Sequence, residues 1–173
     1  VVLWQDGTPT RLPVAAPPDA RLVRVDDTRI AVYGKRSDDR YQHGALGDTI
    51  EGSSVAVVDT DAGRVTTEVE LDAPTVFEGL SPLIADLDGD DEPEIVTTVA
   101  DTANGARIRI YGIDGSEIAT GPIYGSGWRH QLCVAPFGPD GAPALAVVRK
   151  PHVDRTVEFY CLNSGELEVV ATK

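Results

Sequence analysis

Acidic side chains fall at positions 1, 3, 5 and 9 of the segment Asp86-Leu87-Asp88-Gly89-Asp90-Asp91-Glu92-Pro93-Glu94. Alternate residues of a tightly curled loop can all point inward, so Asp86, Asp88 and Asp90 can share one cation. Glu92, at position 7, can add its backbone carbonyl, and Glu94 closes the far side as the chain enters the next element. Gly89 lets the backbone bend without a Cβ clash. Ca²⁺ takes six to eight oxygen ligands at about 2.3–2.6 Å, which suits this donor set. Without a cation the carboxylates repel one another, by about 4 kcal/mol per pair at 4 Å and an effective dielectric near 20. The loop must therefore splay open or bind a metal, and the expected cofactor is Ca²⁺.

Other metal readings fit less well. An EF-hand needs a bidentate Glu at position 12 and a helix after the loop. Position 12 is Thr97, and Ile95-Val96-Thr97-Thr98-Val99 reads as a strand. Mg²⁺ prefers fewer carboxylates and more water. No zinc or haem ligand set is present.

The elements that must position this loop belong to a repeat. Ile95-Val96-Thr97-Thr98-Val99 aligns with Leu145-Ala146-Val147-Val148-Arg149 at an offset of 50, and Ile110-Tyr111-Gly112-Ile113-Asp114 with Phe159-Tyr160-Cys161-Leu162-Asn163 at 49. Glu117-Ile118 and Glu166-Leu167 follow at 49, and Val55-Ala56-Val57-Val58-Asp59 gives a weaker third copy. Within one copy, short apolar or alternating runs at about 83–86, 95–100 and 106–113 precede an Asp114-Gly115 turn and a fourth run from Glu117. An Asp-Gly pair between alternating runs is a strong hairpin signal. No segment has helical spacing of apolar residues. Four antiparallel strands of this length make one propeller blade. The expected fold is an all-β propeller segment in an incomplete ring. It comprises an outer hairpin at 1–18, a blade without a metal loop at 19–72, a blade with the calcium loop at 73–124, and a blade with a degenerate loop at 125–173. The remaining blades would lie in sequence not shown or in partner chains. A compact β-sandwich is the competing architecture.

Asp-x-Asp-Gly-Asp-x-x-x-Glu followed by Ile-Val, inside an apolar repeat of this size, resembles the FG-GAP/VCBS repeats of integrin-α-type β-propellers, most strongly over 73–118. The resemblance implies Ca²⁺ held through Asp86, Asp88, Asp90, Glu92 and Glu94, and a secreted or cell-surface location. It departs from the family at position 6, where Asp91 replaces the usual Gly; an Asp can adopt the left-handed conformation at a smaller cost than most residues. In the next copy the equivalent loop, Ala135 to Pro143, keeps only Asp140 as an acid, so no ion is expected there.

A second group collects on the opposite set of loops: Trp128, Arg129 and His130, then Arg149, Lys150 and His152, and an insert from Gly34 to Gly52 carrying Arg36, Arg40, Tyr41 and His43. Within a chain of net charge −13 this group is locally basic and aromatic. Trp and Arg are common recognition groups. Trp128, Arg129, His130, Lys150 and His152 are the candidate ligand-binding residues, for a protein or carbohydrate partner. The acidity disfavours nucleic acid. No apolar stretch is long enough to span a membrane. The sequence, without Met and strand-like at both ends, reads as a piece of a longer chain. No nucleophile–base pair or paired catalytic carboxylates stand out, so a non-enzymatic scaffold is the leading expectation. The alternative is part of a polysaccharide-active enzyme with its site on the second face or in missing blades. Cys133 and Cys161 fall on the first and third strands of one sheet, about 9.6 Å apart. That is too far for a disulfide, and two buried free thiols are expected.

Overall fold

The computed structural model describes residues 1–41, 49–123, 125, 127–153 and 155–173; apart from one 3₁₀ turn at Pro139–Gly141, its regular elements are β-strands. The chain divides into two compact units, Val1–Pro82 and Leu83–Lys173. All named sheet pairs are antiparallel, and no sheet closes on itself among the described residues.

In the first unit, β1 (Val2–Gln5) and β2 (Thr8–Arg11) form a hairpin across Asp6-Gly7. Both turn residues have positive φ, 48° and 77°, as a two-residue turn matched to strand twist requires. A four-stranded meander follows: β3 (Val23–Arg24), β4 (Arg29–Ser37), β5 (Glu51–Asp59) and β6 (Arg64–Glu70). The short β7 (Val76–Phe77) joins β5 through the Gly52–Phe77 pair. The β4–β5 ladder runs out to Arg36–Gly52 and Ser37–Glu51, so part of the insert expected between Gly34 and Gly52 is strand. His43 lies outside the described residues. One face of this meander, carrying Val32, Ala56 and Val58, is covered by Leu12 and Val14 from the preceding chain, with Val1 and Leu3 packed alongside.

The second unit contains two four-stranded meanders. The first is β8 (Leu83–Ala85), β9 (Glu94–Asp101), β10 (Gly105–Tyr111) and β11 (Glu117–Thr120). The second is β12 (Arg129–Ala135), β13 (Ala144–Arg149), β14 (Thr156–Asn163) and β15 (Glu166–Thr172). They pack face to face. Leu87, Val96, Ile108, Ile110 and Ala119 of the first meet Leu145, Val147, Tyr160, Leu162 and Leu167 of the second. Every residue of β9 is buried, which explains why its sequence is almost continuously apolar or β-branched instead of alternating.

The repeat is real in the ladders, with one correction. Rows of four paired residues match: Leu83–Val96–Ile110–Ala119 in the first meander, Cys133–Ala146–Phe159–Ala171 in the second. A register shift follows Ile110 in one and Phe159 in the other. The fourth strands, however, do not correspond at the sequence offset of Glu117 to Glu166, because Ala119 is equivalent to Ala171. The cause is the turn. Gly112 to Ser116 closes the first hairpin early, with Gly112 N donating to Ser116 O at 2.9 Å. Ser164-Gly165, at φ 51° and 82°, makes a tight two-residue turn in the second and lets its strands run further.

Cys133 and Cys161 are free and on the first and third strands of one sheet, but only Cys161 is buried. Cys133 is exposed because its row faces away from the packed interface.

A polar network crosses that interface. Arg129 is 1% exposed and Glu158 2%. Arg129 Nη1 donates to the Ala106 carbonyl at 2.6 Å, and its Nε lies 3.5 Å from Glu158 Oε2. Glu158 also accepts from Arg149 Nη1 at 3.0 Å and from the Tyr160 hydroxyl at 2.6 Å. Removing one partner of a buried pair leaves an uncompensated charge and costs about 3–5 kcal/mol. Glu158→Ala is therefore expected to lose about that much in urea unfolding, whereas Glu168→Ala, on an exposed position of β15, should change stability by less than about 0.5 kcal/mol.

Candidate metal centre

β8 and β9 pair Leu83 with Val96, Ile84 with Ile95 and Ala85 with Glu94, so residues 86–93 form the connection between them. Leu87, 1% exposed, plugs into the interface between the two meanders and anchors the loop from its second position. Gly89 and Asp91 take positive φ of 83° and 69°. Asp91 thus adopts the left-handed conformation that its position demands. Asp tolerates it because its short polar side chain can bond locally.

The side chains organise the backbone of the loop. Asp86 accepts from Gly89 N at 2.6 Å through Oδ1 and from Asp91 N at 3.1 Å through Oδ2. Asp88 Oδ1 accepts from Asp90 N at 3.2 Å, and Asp90 Oδ1 from Glu92 N at 2.8 Å. Glu94 Oε2 accepts from Leu87 N at 2.7 Å, across the base of the loop. One oxygen each from Asp86, Asp88 and Glu94 lie within 4.8 Å of one another. That spacing lets all three touch one cation at a metal–oxygen distance of about 2.4 Å. The donors are all hard carboxylate oxygens, suited to Ca²⁺, Mg²⁺ or Mn²⁺ and not to soft metals. The side chains of Asp90 and Glu92 are not in this group of converging oxygens: Asp90 is turned to the Glu92 amide, and Glu92 is exposed.

Glu94 is the unusual member. It is 4% exposed. Burial first, and the charges of Asp88, Asp86 and Asp90 after it, push its carboxyl up to about 7 against the lowering effect of the Leu87 N–H. A cation at the trio would reverse both costs.

The equivalent connections differ. Between β3 and β4, Asp26 accepts from Thr28 N at 2.9 Å and Arg29 N at 2.8 Å, and its other oxygen from Arg29 Nε at 2.6 Å. These bonds hold the Asp26 carboxyl below its ordinary range. An arginine compensates the acid there. Between β12 and β13, Gly138 N donates to Ala142 O at 3.0 Å and Asp140 takes φ 53°, so backbone bonds close the turn.

The second candidate group is only partly assembled. Trp128 is half-buried, with ring centroids 5.4 Å from His130 and 6.2 Å from His152. Its Nε1 is buried with no hydrogen-bond partner among the described residues. Burial holds His130 below its ordinary range. Lys150 N donates to the Trp128 carbonyl at 2.8 Å. Arg129 is in the core network instead: with Gln131 it lies on the covered side of β12, ahead of the register shift between Gln131 and Cys133 that turns Cys133 outward. In the first unit, Arg40 Nη1 donates to the Leu71 carbonyl at 2.7 Å. Sequence reasoning missed the Arg129–Glu158–Tyr160 network. The signal was a charge at Glu158 on the same side of its strand as Tyr160 and Leu162.

The aromatic group and the acidic loop are far apart within their unit. Arg129 bonds to Ala106, whose partner Ala100 stands six residues along β9 from Glu94. That is about 20 Å at 3.3 Å per residue.

Comparison with protein-family models, with curated proteins and with solved structures finds no match.

The Glu94 shift gives a sign-specific pH dependence. The unfolded carboxyl releases its proton near 4.3, the folded one near 7. Below both values the group is protonated in both states and costs nothing. As pH rises through that window the unfolded state ionises first, so the metal-free fold loses stability, on the order of 3 kcal/mol by pH 7.5. In chelator, Glu94→Gln should remove most of this decline in urea midpoints between pH 5 and 7.5. An unchanged decline in the variant would refute the assignment.

Proposed function

We propose that this chain is a non-enzymatic, calcium-stabilised repeat scaffold of the FG-GAP/VCBS β-propeller type. Its four-stranded meanders serve as blades. The observation that carries the reading is the convergence of Asp86, Asp88 and Glu94 on one point, with Glu94 buried at the exit of the loop. Three carboxylates held together at that spacing need positive charge, and among the described residues the hydrogen bonds they accept come from the backbone amides of Leu87, Gly89, Asp90 and Asp91. Asp86, Asp88 and Glu94 would supply side-chain oxygens. Asp90 and Glu92 join the set by the family pattern, Glu92 through its carbonyl.

The physical role of such an ion is to tie β8 to β9. Asp86 sits one residue after β8, and Glu94 begins β9. Binding to the folded state alone stabilises it by about 2.7 kcal/mol at a ligand concentration 100 times Kd. The scaffold would present Trp128, His130, Lys150 and His152 to a protein or carbohydrate partner, in a secreted or cell-surface setting where calcium is plentiful. The metal would hold the fold at the other end of its unit instead of touching that partner.

Thermal melting in EDTA, then with Ca²⁺ or Mg²⁺ added, tests the metal. Ca²⁺ is expected to raise the Tm by about 5–10 °C, from 2–4 °C per kcal/mol in a chain of this size, and Mg²⁺ by less. Asp88→Ala, an exposed substitution that removes one repelling carboxylate, should melt no lower than the wild type in EDTA and gain nothing from Ca²⁺. No wild-type shift, or an equal shift in the variant, would sink the proposal.

A further inference from the structure

β9 ends on Asp101 and β10 begins on Gly105, so Thr102, Ala103 and Asn104 make the turn between them. Gly105 takes φ 74°, which a residue without Cβ adopts at no steric cost. Asp101 is 4% exposed, and its carboxylate closes the turn from inside. Oδ1 accepts from Ala103 N at 2.9 Å and from Asn104 N at 2.7 Å. The Asn104 side-chain amide donates to both oxygens, at 3.1 Å each, and Arg107 Nη1 reaches Oδ2 at 3.4 Å. Burial raises the Asp101 carboxyl, but the Asn104 amide, the turn N–H groups and Arg107 outweigh it and hold the group below its ordinary range. Asp101 is therefore an ionised acceptor at neutral pH.

Asn104 itself is exposed. The chain has two asparagines, Asn104 before Gly105 and Asn163 before Ser164. Asparagine is a thermolabile residue, and the labile step is intramolecular. The backbone nitrogen of the next residue attacks the side-chain carbon Cγ. A C–N bond forms, the Cγ–Nδ2 bond breaks, and ammonia leaves with the proton of the attacking amide. Water then opens the five-membered imide at either carbonyl and gives aspartate or its β-linked isomer. A side chain on the attacking residue obstructs ring closure, and Gly has none. By covalent structure, Asn104 is thus the more reactive of the two amides.

The folded turn opposes that step. Cγ must come onto Gly105 N with Nδ2 free to leave, whereas Nδ2 is held by both oxygens of Asp101. The products reverse the contact. Two N–H donors become a carboxylate beside the Asp101 carboxylate, so repulsion replaces the hydrogen bonds. Ala106, two residues further on, accepts from the buried Arg129, so a turn forced open at Asn104 loosens the strand end that this network rests on.

We propose that Asn104-Gly105 is a modification site, deamidated by water without an enzyme, and that Asp101 is the latch that sets its rate. The reaction runs from the opened turn and keeps the turn from closing properly once it has occurred. Hairpin ends open locally at less cost than the whole fold. No metal takes part in this chemistry.

Incubation of the full chain in mildly alkaline buffer, with and without urea, tests this. Peptide mass spectrometry, with the site located by fragmentation, reads the amide-to-acid mass gain at Asn104 and at Asn163. In urea Asn104 should react ahead of Asn163, and in native buffer it should react at least about tenfold more slowly than in urea. Asp101→Ala, checked for native circular dichroism, should speed the native reaction by about tenfold, the factor that one lost hydrogen bond to a charged group corresponds to. Asp101→Asn keeps an acceptor for the turn amides and gives up one of the two on Nδ2, so its rate should fall between; it carries the test if Asp101→Ala is unfolded. Asn104→Asp should melt below Asn104→Ala, since Ala only gives up the two bonds and Asp adds repulsion. Equal rates in native buffer and in urea overturn the proposal, as does Asn163 reacting first in urea. So does a folded Asp101 variant no faster than wild type, or Asn104→Asp melting at or above Asn104→Ala.

Discussion

A four-stranded meander with apolar residues on both faces cannot be stable alone; each face must be covered, and the structure follows from that constraint. In the second unit, Leu87, Val96 and Ile110 meet Leu145, Tyr160 and Leu162, and the burial of these side chains is the main favourable term. It also dictates the sequence. β9 is buried throughout, so it lacks alternation, and Thr97 and Thr98 are tolerated inside it because their hydroxyls find carbonyls: Arg109 O at 2.8 Å and Arg129 O at 2.9 Å. The Arg129–Glu158 pair lies in the same layer. There the Ala106 carbonyl accepts from Arg129, and Arg149 and the Tyr160 hydroxyl donate to Glu158.

The acidic loop depends on the same packing. Leu87 fixes the loop from the apolar side, and Glu94 is drawn into the interior because it begins a fully buried strand. The Leu87 amide then bonds back to the Glu94 carboxylate. The converging oxygens are therefore placed by the fold, and the repulsion among them is a cost the core can carry. The three comparable connections in the chain show three answers to closing such a loop: an arginine at Asp26, converging carboxylates at Asp86 to Glu94, and backbone bonds with Pro and Gly at 138–142.

The sequence by itself determined the strands, their repeat and the chemistry of one loop. Period-two alternation, the Asp114-Gly115 turn and the offsets of 49 and 50 are local properties, and strand formation reads them directly. The left-handed Asp91 was foreshadowed by the resemblance, in which the same loop position usually holds Gly. Tertiary structure decided what local pattern cannot carry. It turned Arg129 into the core and left Cys133 outside, because which side of a strand is covered depends on a neighbour distant in sequence. It moved the register of the fourth strand, because a turn shorter by a few residues changes where the ladder resumes. And it selected Asp86, Asp88 and Glu94 from a row of carboxylates, because convergence depends on the path of the backbone and on the burial of Leu87, and spacing alone treats all the acids alike.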